Sequence, residues 1–288
     1  MRRCPRCGGW SPGEGWECSL CGQTPPRGEA WWDYLPADRE GAPGYQASHF
    51  EKIQRTEAGS AWFLARNRLV LRALQEHFPD THAYLEAGCG TGFVLSAVER
   101  KFPAWRVTGL EPFGEGLRAA SRRLERGELV RADLLDPPWK GAFDLVGVYD
   151  VLEHLEDDRA ALTTLGGVLR GGGGILATVP QHPELWSLTD EAAGHVRRYR
   201  PGELEGKMRD AGFTVLYSTS FVSLPLPALW FSRRIRKGHE VTDELALPAA
   251  VDRGLGLILG LERLLLRAGM SFPWGGSRLV AARKSEDK

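Results

Sequence analysis

Polar and apolar positions change rhythm along this chain. Pro25, Pro26, Pro36 and Pro43, with interspersed glycines, mark residues 23–47 as a linker or irregular wrap. From Ser48 to Phe78 the apolar Ile53, Trp62, Phe63, Leu69, Val70 and Leu74 recur at near-helical spacing, which predicts one or two amphipathic helices capping a core. Beyond Ala83, short apolar strands alternate with helical stretches. Strands are predicted over 83–87, 106–111, 128–132, 143–149, 174–180 and 213–219, and helices over 93–102, 114–125, 157–169 and 201–211. A last strand, Arg278 to Arg283, follows an insertion rich in tryptophan, proline and apolar residues. The alternation predicts an α/β fold with a doubly wound, mostly parallel sheet of seven strands, the insertion serving as a helical lid.

At 288 residues the chain has room for a full α/β core and a small appendage. The expected division is a cysteine-bearing module over 1–28, linker and capping helices over 29–80, and the main domain over 81–288, with its lid at about 221–275. Lys+Arg and Asp+Glu both number 37, so the net charge is zero and no global field draws in nucleic acid or an anionic membrane. The basic start Met1-Arg2-Arg3 runs into cysteines and prolines rather than an apolar signal core, and the apolar stretches fall short of a membrane span. A soluble, cytoplasmic protein is expected.

Four of the five cysteines fall in two CxxCG turns, Cys4-Pro5-Arg6-Cys7-Gly8 and Cys18-Ser19-Leu20-Cys21-Gly22. Two intervening residues let both sulfurs of a turn reach one ion, and the glycine lets backbone amides point at the thiolates. Cys4, Cys7, Cys18 and Cys21 are therefore expected to hold a structural zinc ion as a small zinc knuckle or ribbon. The competing reading, two disulfides, suits a secreted protein.

The segment Glu86-Ala87-Gly88-Cys89-Gly90-Thr91-Gly92-Phe93 carries a strand into a glycine-rich turn and then a helix, the setting for a nucleotide-type cofactor. Phe93 stands where the dinucleotide fingerprint has its third glycine, which argues against NAD. The segment resembles motif I of class I methyltransferases, and the resemblance extends over roughly residues 81–219. It implies a Rossmann-like fold and S-adenosylmethionine as cofactor. By the same resemblance Glu86, Gly88, Cys89, Gly90 and Gly92 form the cofactor loop, with Cys89 non-catalytic. Glu111, followed by Pro112, takes the ribose hydroxyls, and Asp133 and Leu134 take the adenine. Asp150-Val151-Leu152-Glu153-His154 resembles the D-x-L-E-H signature of small-molecule members, which places Tyr149 and Asp150 at the methionine end. Gly171 to Gly174 read as a helix-to-strand turn.

Methyl transfer needs an acceptor lined up with the S–CH₃ bond, and a base where the acceptor arrives protonated. His154 in the signature and His195 in Gly194-His195-Val196-Arg197-Arg198-Tyr199, which resembles a GHxRxY segment of relatives, are the candidates for that base. Arg197 and Tyr199 are the candidates for holding the acceptor. Leu224 to Phe231, followed by the basic run Arg233 to Lys237, reads first as a buried lid with a charged rim. Peripheral membrane contact or a lipid-linked acceptor is the alternative. The leading expectation is methylation of a small-molecule or lipid-linked acceptor. Methylation of ribosomal or transfer RNA and a non-catalytic, cofactor-binding scaffold stay open behind it, as does the oligomeric state.

Overall fold

The computed structural model describes residues 1–13, 15–35, 48–235 and 247–285, except the side chains of residues 48, 49 and 232–235. Glu14, residues 36–47 of the expected linker and the side chains of the basic run from Arg233 to Lys237 lie outside the described residues.

The chain opens with a ribbon of β1 (Arg2–Arg3) and β2 (Trp10–Ser11), followed by β3 (Trp32–Asp33), α1 (Ser48–Thr56) and α2 (Ala61–His77). The alternating core is β4 (Ala83–Ala87), α3 (Phe93–Lys101), β5 (Arg106–Leu110), α4 (Gly114–Ser121), β6 (Glu128–Arg131), β7 (Phe143–Tyr149), α5 (Asp158–Val168) and β8 (Leu169–Pro180). It continues through α6 (Leu188–Ala192), α7 (Glu203–Asp210), β9 (Phe213–Phe221), α8 (Leu226–Ile235), α9 (Ala249–Arg267) and β10 (Ser277–Lys284).

The sheet runs β3-β6-β5-β4-β7-β8-β10-β9, with β10 antiparallel to both neighbours. The seven expected strands are all present, and β3 adds an eighth, pairing parallel to β6 through Trp32 and Asp33. Both faces of the sheet are covered, so the central strands are largely apolar and their alternation sorts side chains between two cores. Ala83, Leu85 and Ala87 of β4 pack with α5 and α7, whereas Tyr84 packs with α2 and α3. Val146 and Val148 of β7 repeat the first choice, Leu145 and Tyr149 the second.

From β4 the chain winds outward through β5 and β6, then crosses back so that β7 pairs with the other side of β4. That reversal splays the connecting loops apart at the carboxyl ends of β4 and β7, where open α/β sheets bind ligands.

Glycines 171–174 do not form the expected turn. They fall within β8, whose register against β7 shifts here: Phe143 pairs with Leu169 and Leu145 with Gly174, so residues 170–173 bulge from the ladder, with Gly172 at φ 70°. A Cβ on Gly174 would lie 2.2 Å from the Phe78 ring, so glycine here admits the end of α2 onto the sheet. The insertion builds α8 and α9, and α9 lies along α2, with Leu259 and Leu266 entering the same core as Val70 and Leu74. Asp252 accepts a hydrogen bond from the Ala61 amide at 3.1 Å, supplying a carboxylate to the first turn of α2.

The cysteine-bearing module is joined to the sheet edge rather than standing apart. Trp16 stacks on Trp32 at 4.7 Å, and its indole donates to Glu128 at 2.7 Å. Arg3 pairs with Asp136 at 2.7 Å, and Arg131 donates to Asp33 at 3.0 Å.

Candidate active site

Three glycines of the loop after β4 have left-handed backbones, with φ of 73° at Gly88, 50° at Gly90 and 73° at Gly92. An L-residue is strained in that region, so the alternation of glycine is a backbone requirement. Space adds to it, because a Cβ at Gly88 would lie 2.5 Å from Val151 and one at Gly92 2.8 Å from Ala120. The amides of Gly88 and Cys89 both donate to the Leu110 carbonyl at the end of β5, at 2.8 and 3.0 Å. This ties the loop to the residue before Glu111.

Glu111 is buried and takes one amide on each oxygen, Gly90 N–H at 2.9 Å and Phe113 N–H at 3.2 Å. Burial pushes its carboxyl up to about 7 despite those two donors. Glu86 is buried one strand away, and burial carries it to about 8 against the opposing influence of Arg66 and Tyr84. Cys89 is buried too, and burial raises its thiol well above the ordinary range, which leaves it unreactive. Across the loop the Thr91 hydroxyl donates to Glu57, 2.8 Å away, and Arg123 pairs with the same carboxylate at 2.6 Å. Phe50 of α1 packs against Phe113, at 5.6 Å between ring centroids, and over Gly90 and Gly116.

Past β6, Asp133 turns its carboxylate to the Leu135 amide at 2.9 Å. Leu134 is packed into the core on the α5 side, while Leu135 is the exposed apolar side chain at this corner. Arg131 links the corner to its surroundings, donating to Asp33 and, at 3.3 Å, to the carbonyl of Pro112.

At the end of β7, Asp150 adopts a positive φ of 54°, a backbone region that non-glycine residues rarely occupy. It accepts from Thr178 at 3.2 Å and forms an ion pair with Arg66, whose guanidinium also sits 5.0 Å from the Trp62 ring. Tyr149 is buried beneath, accepting from the Tyr84 hydroxyl at 3.2 Å. Glu153 is fully buried with neither carboxyl oxygen hydrogen-bonded, and burial, reinforced by Asp150, raises its carboxyl well above the usual carboxylate range. His154 and His195 meet edge to face at 4.8 Å. His195 Nδ1 lies 2.9 Å from Asp190 Oδ1, and its Nε2 lies 4.0 Å from Glu153. Burial alone would raise Asp190, but the His195 contact and the Arg198 guanidinium prevail and hold it at about 2.

The cysteine sulfurs converge although they are far apart in sequence. Cys4 Sγ is 3.7 Å from Cys21 Sγ, Cys7 Sγ is 3.8 Å from Cys18 Sγ, and all four lie within 4.8 Å of one another. A tetrahedral ion with metal–sulfur bonds of about 2.3 Å would separate its sulfurs by about 3.8 Å, so the four thiols could hold such an ion. Gly8 and Gly22, with φ of 72° and 69°, close two matching turns by donating to the Cys4 and Cys18 carbonyls.

A family described as a methyltransferase domain matches residues 50–218, which reach from α1 into β9 and leave out the cysteine module, β3, α8, α9 and β10. The chain belongs to this methyltransferase family. The methyltransferase is 29% identical over 151 residues to a ubiquinone biosynthesis O-methyltransferase of Psychrobacter arcticus, covering 45% of this chain and 58% of that one. It is 32% identical over 120 residues to an uncharacterized methyltransferase of Mycobacterium tuberculosis, covering 39% and 60%. It thus spans about three fifths of the length of these relatives. Its fold is similar to that of phosphoethanolamine N-methyltransferase 2 of Haemonchus contortus, solved with S-adenosyl-L-methionine. The TM-score is 0.57 at 15% identity, covering 88% of this chain and 62% of that one.

Within this methyltransferase the acids Glu86, Glu111 and Asp133 stand at the carboxyl ends of adjacent strands, and His154 and His195 meet beside them. Two expected acceptor-binding residues are placed elsewhere. Tyr199 is 1% exposed and donates to Asp158 at 2.6 Å, and Arg197 pairs with the same carboxylate at 3.1 Å. Both knit the loop after β8 to α5, because Asp158 is a buried acid that needs several donors. Sequence reasoning missed Arg66, Glu57 and Asp190. Arg66 had a signal, since an arginine amid Trp62, Phe63, Leu69 and Val70 breaks the apolar face of a predicted helix.

Proposed function

We propose that this methyltransferase transfers the methyl group of S-adenosylmethionine to a small-molecule or lipid-linked acceptor. The observation that carries the reading is the pairing of the left-handed glycine loop with Glu111. Each Glu111 oxygen has accepted one amide and retains capacity for a second donor, which suits two adjacent ribose hydroxyls. Asp133 is the group we assign to the exocyclic amine of the adenine. The ion pair of Arg66 and Asp150 matches, charge for charge, the zwitterion at the cofactor's amino-acid end. When bound, the cofactor supplies an activated methyl group on a sulfonium.

The chain's own residues then align the acceptor, keep water out and receive a proton where the acceptor has one to lose. His195 is the group we assign to that proton. Asp190 orients its ring through Nδ1, which leaves Nε2 turned toward Glu153 and the ring against His154. The cysteine module holds a structural zinc ion, and the cytoplasm, where thiols stay reduced, is the setting we assign.

Calorimetric titration of the metal-loaded protein with S-adenosylmethionine, S-adenosylhomocysteine and NAD tests the cofactor. Both adenosyl ligands should bind, Asp133→Ala should weaken both, and NAD should not bind. Failure of the adenosyl ligands to bind would sink the assignment.

A further inference from the structure

Helix α9 has two apolar faces, and among the described residues only one of them is covered. Leu255, Leu259 and Leu266 face inward, Leu259 and Leu266 each 5% exposed. On the opposite side Leu257, Leu261 and Leu264, spaced i, i+4, i+7, are 79, 52 and 55% exposed, and Val251 and Ile258 widen the stripe. Arg253, Arg267 and Arg263 follow one another along one flank of that stripe at helical spacing. The two acids of the helix are engaged inward. Asp252 meets the Ala61 amide, and the buried Glu262 accepts from Val222, Ser223 and Leu224 at 2.7, 2.7 and 2.9 Å. Exposed Arg68 of α2 stands close enough to Arg263 to repel it, as does Arg267. The same Glu262 bonds tie the segment just ahead of α8 to α9, and Phe231 on α8 and Trp274 in the loop beyond α9 are both exposed.

We propose that this face docks on an anionic lipid surface, with α9 lying in the plane of the interface. Leucines face the acyl boundary, arginines meet headgroup phosphates, and aromatic side chains sit at headgroup level. The 19-residue helix is about 28 Å long, ample for an in-plane contact. No described helix is long and apolar enough to cross a membrane. A second copy of the chain is the poorer occupant. It would bring the same arginine flank and no outward acid on α9 to offset it, whereas an anionic bilayer supplies both the apolar depth and the opposite charge. The docking does not depend on methyl transfer.

The test is co-sedimentation of the full chain with phosphatidylcholine vesicles and with vesicles containing about a third phosphatidylglycerol, without cofactor. The expected result is about tenfold stronger partition onto the anionic vesicles, weakening as salt is raised. The pair Leu257→Glu and Leu261→Glu should abolish partition without lowering the melting temperature, since both side chains are exposed. The pair Arg253→Glu and Arg267→Glu should remove the anionic preference. Equal or negligible partition of the unaltered chain onto both vesicle types overturns the proposal. So does a wild-type dimer that the leucine pair converts to monomer while vesicle binding is absent.

Discussion

With Glu111 assigned to the ribose hydroxyls, cofactor affinity should depend on pH. The Glu111 carboxyl is pushed up to about 7 by burial, so near neutrality the empty site holds it protonated about half the time. A protonated carboxyl has lost acceptor capacity, and two ribose hydroxyls call for the ionised form. The ionised fraction rises from about one in eleven at pH 6 to about ten in eleven at pH 8. Affinity for S-adenosylhomocysteine should therefore rise about tenfold across that range, about 1.4 kcal/mol. Calorimetry in two buffers of different ionisation enthalpy should also detect release of about half a proton per binding event at pH 7. Glu111→Gln should bind weakly and show no such rise. The same group acts on the ligand-free fold in the opposite sense. Because its folded value lies above the ordinary carboxylate value of 4.5, the stability it contributes is present below that value and lost as pH rises toward 7, by roughly 3 kcal/mol. A flat affinity profile in the unaltered protein, or an undiminished tenfold rise in the glutamine variant, would refute the reasoning.

Three further perturbations probe other parts of the site. Gly92→Ala combines a left-handed backbone with a Cβ 2.8 Å from that of Ala120, and should cost about 1–3 kcal/mol in urea denaturation; an unchanged midpoint would contradict it. Glu57→Ala strips Arg123 and the Thr91 hydroxyl of their shared partner, so a loss of about 2–4 kcal/mol is expected, and a loss under 1 would show that the contact is dispensable. Metal removal by a chelator should unstack Trp16 from Trp32, read by tryptophan fluorescence, and weaken S-adenosylhomocysteine severalfold through the link from Asp33 and Arg131 to Pro112. Unchanged fluorescence and affinity would detach the module from the site.

The core was legible because its elements are set by local pattern. β4, β5 and β7 announce themselves as short apolar runs bounded by turn residues, and Gly88, Gly90 and Gly92 fall where only glycine tolerates the backbone. β3 was not legible. Trp32 and Asp33 lie in a Pro- and Gly-rich stretch, and what makes them a strand is the partner they find in β6, a tertiary choice with no local period. The glycines of β8 misled for a related reason, since Gly174 serves the Phe78 ring rather than a turn. Tyr199 and Arg197 read as acceptor ligands because they sit beside His195 in sequence, yet the partner that positions them, Asp158, lies on α5. Spacing finds residues that one element presents together, and misses those that two elements share.

The acids around the cofactor loop carry one consequence beyond binding. Glu86, Glu111 and Glu153 are all buried with raised carboxyls, and Arg66 is the cation that bears on both Glu86 and Glu153. Such a site is poorly satisfied when empty and gains from a ligand that brings positive charge. S-adenosylmethionine carries a sulfonium that S-adenosylhomocysteine lacks, so ionising Glu86 should strengthen the first ligand more than the second. A charge within roughly 8 Å at an effective dielectric of about 20 is worth about 2 kcal/mol, roughly thirtyfold in affinity. Glu86 lies at about 8, so the affinity ratio of substrate to product should climb between pH 7 and pH 9, on top of the rise common to both ligands from Glu111. Glu86→Gln should flatten that climb while leaving the common rise. Titrating both ligands across this range decides the matter: a constant ratio would mean that the buried acids merely shape the cleft, and a rising one that they favour the charged substrate and release the neutral product.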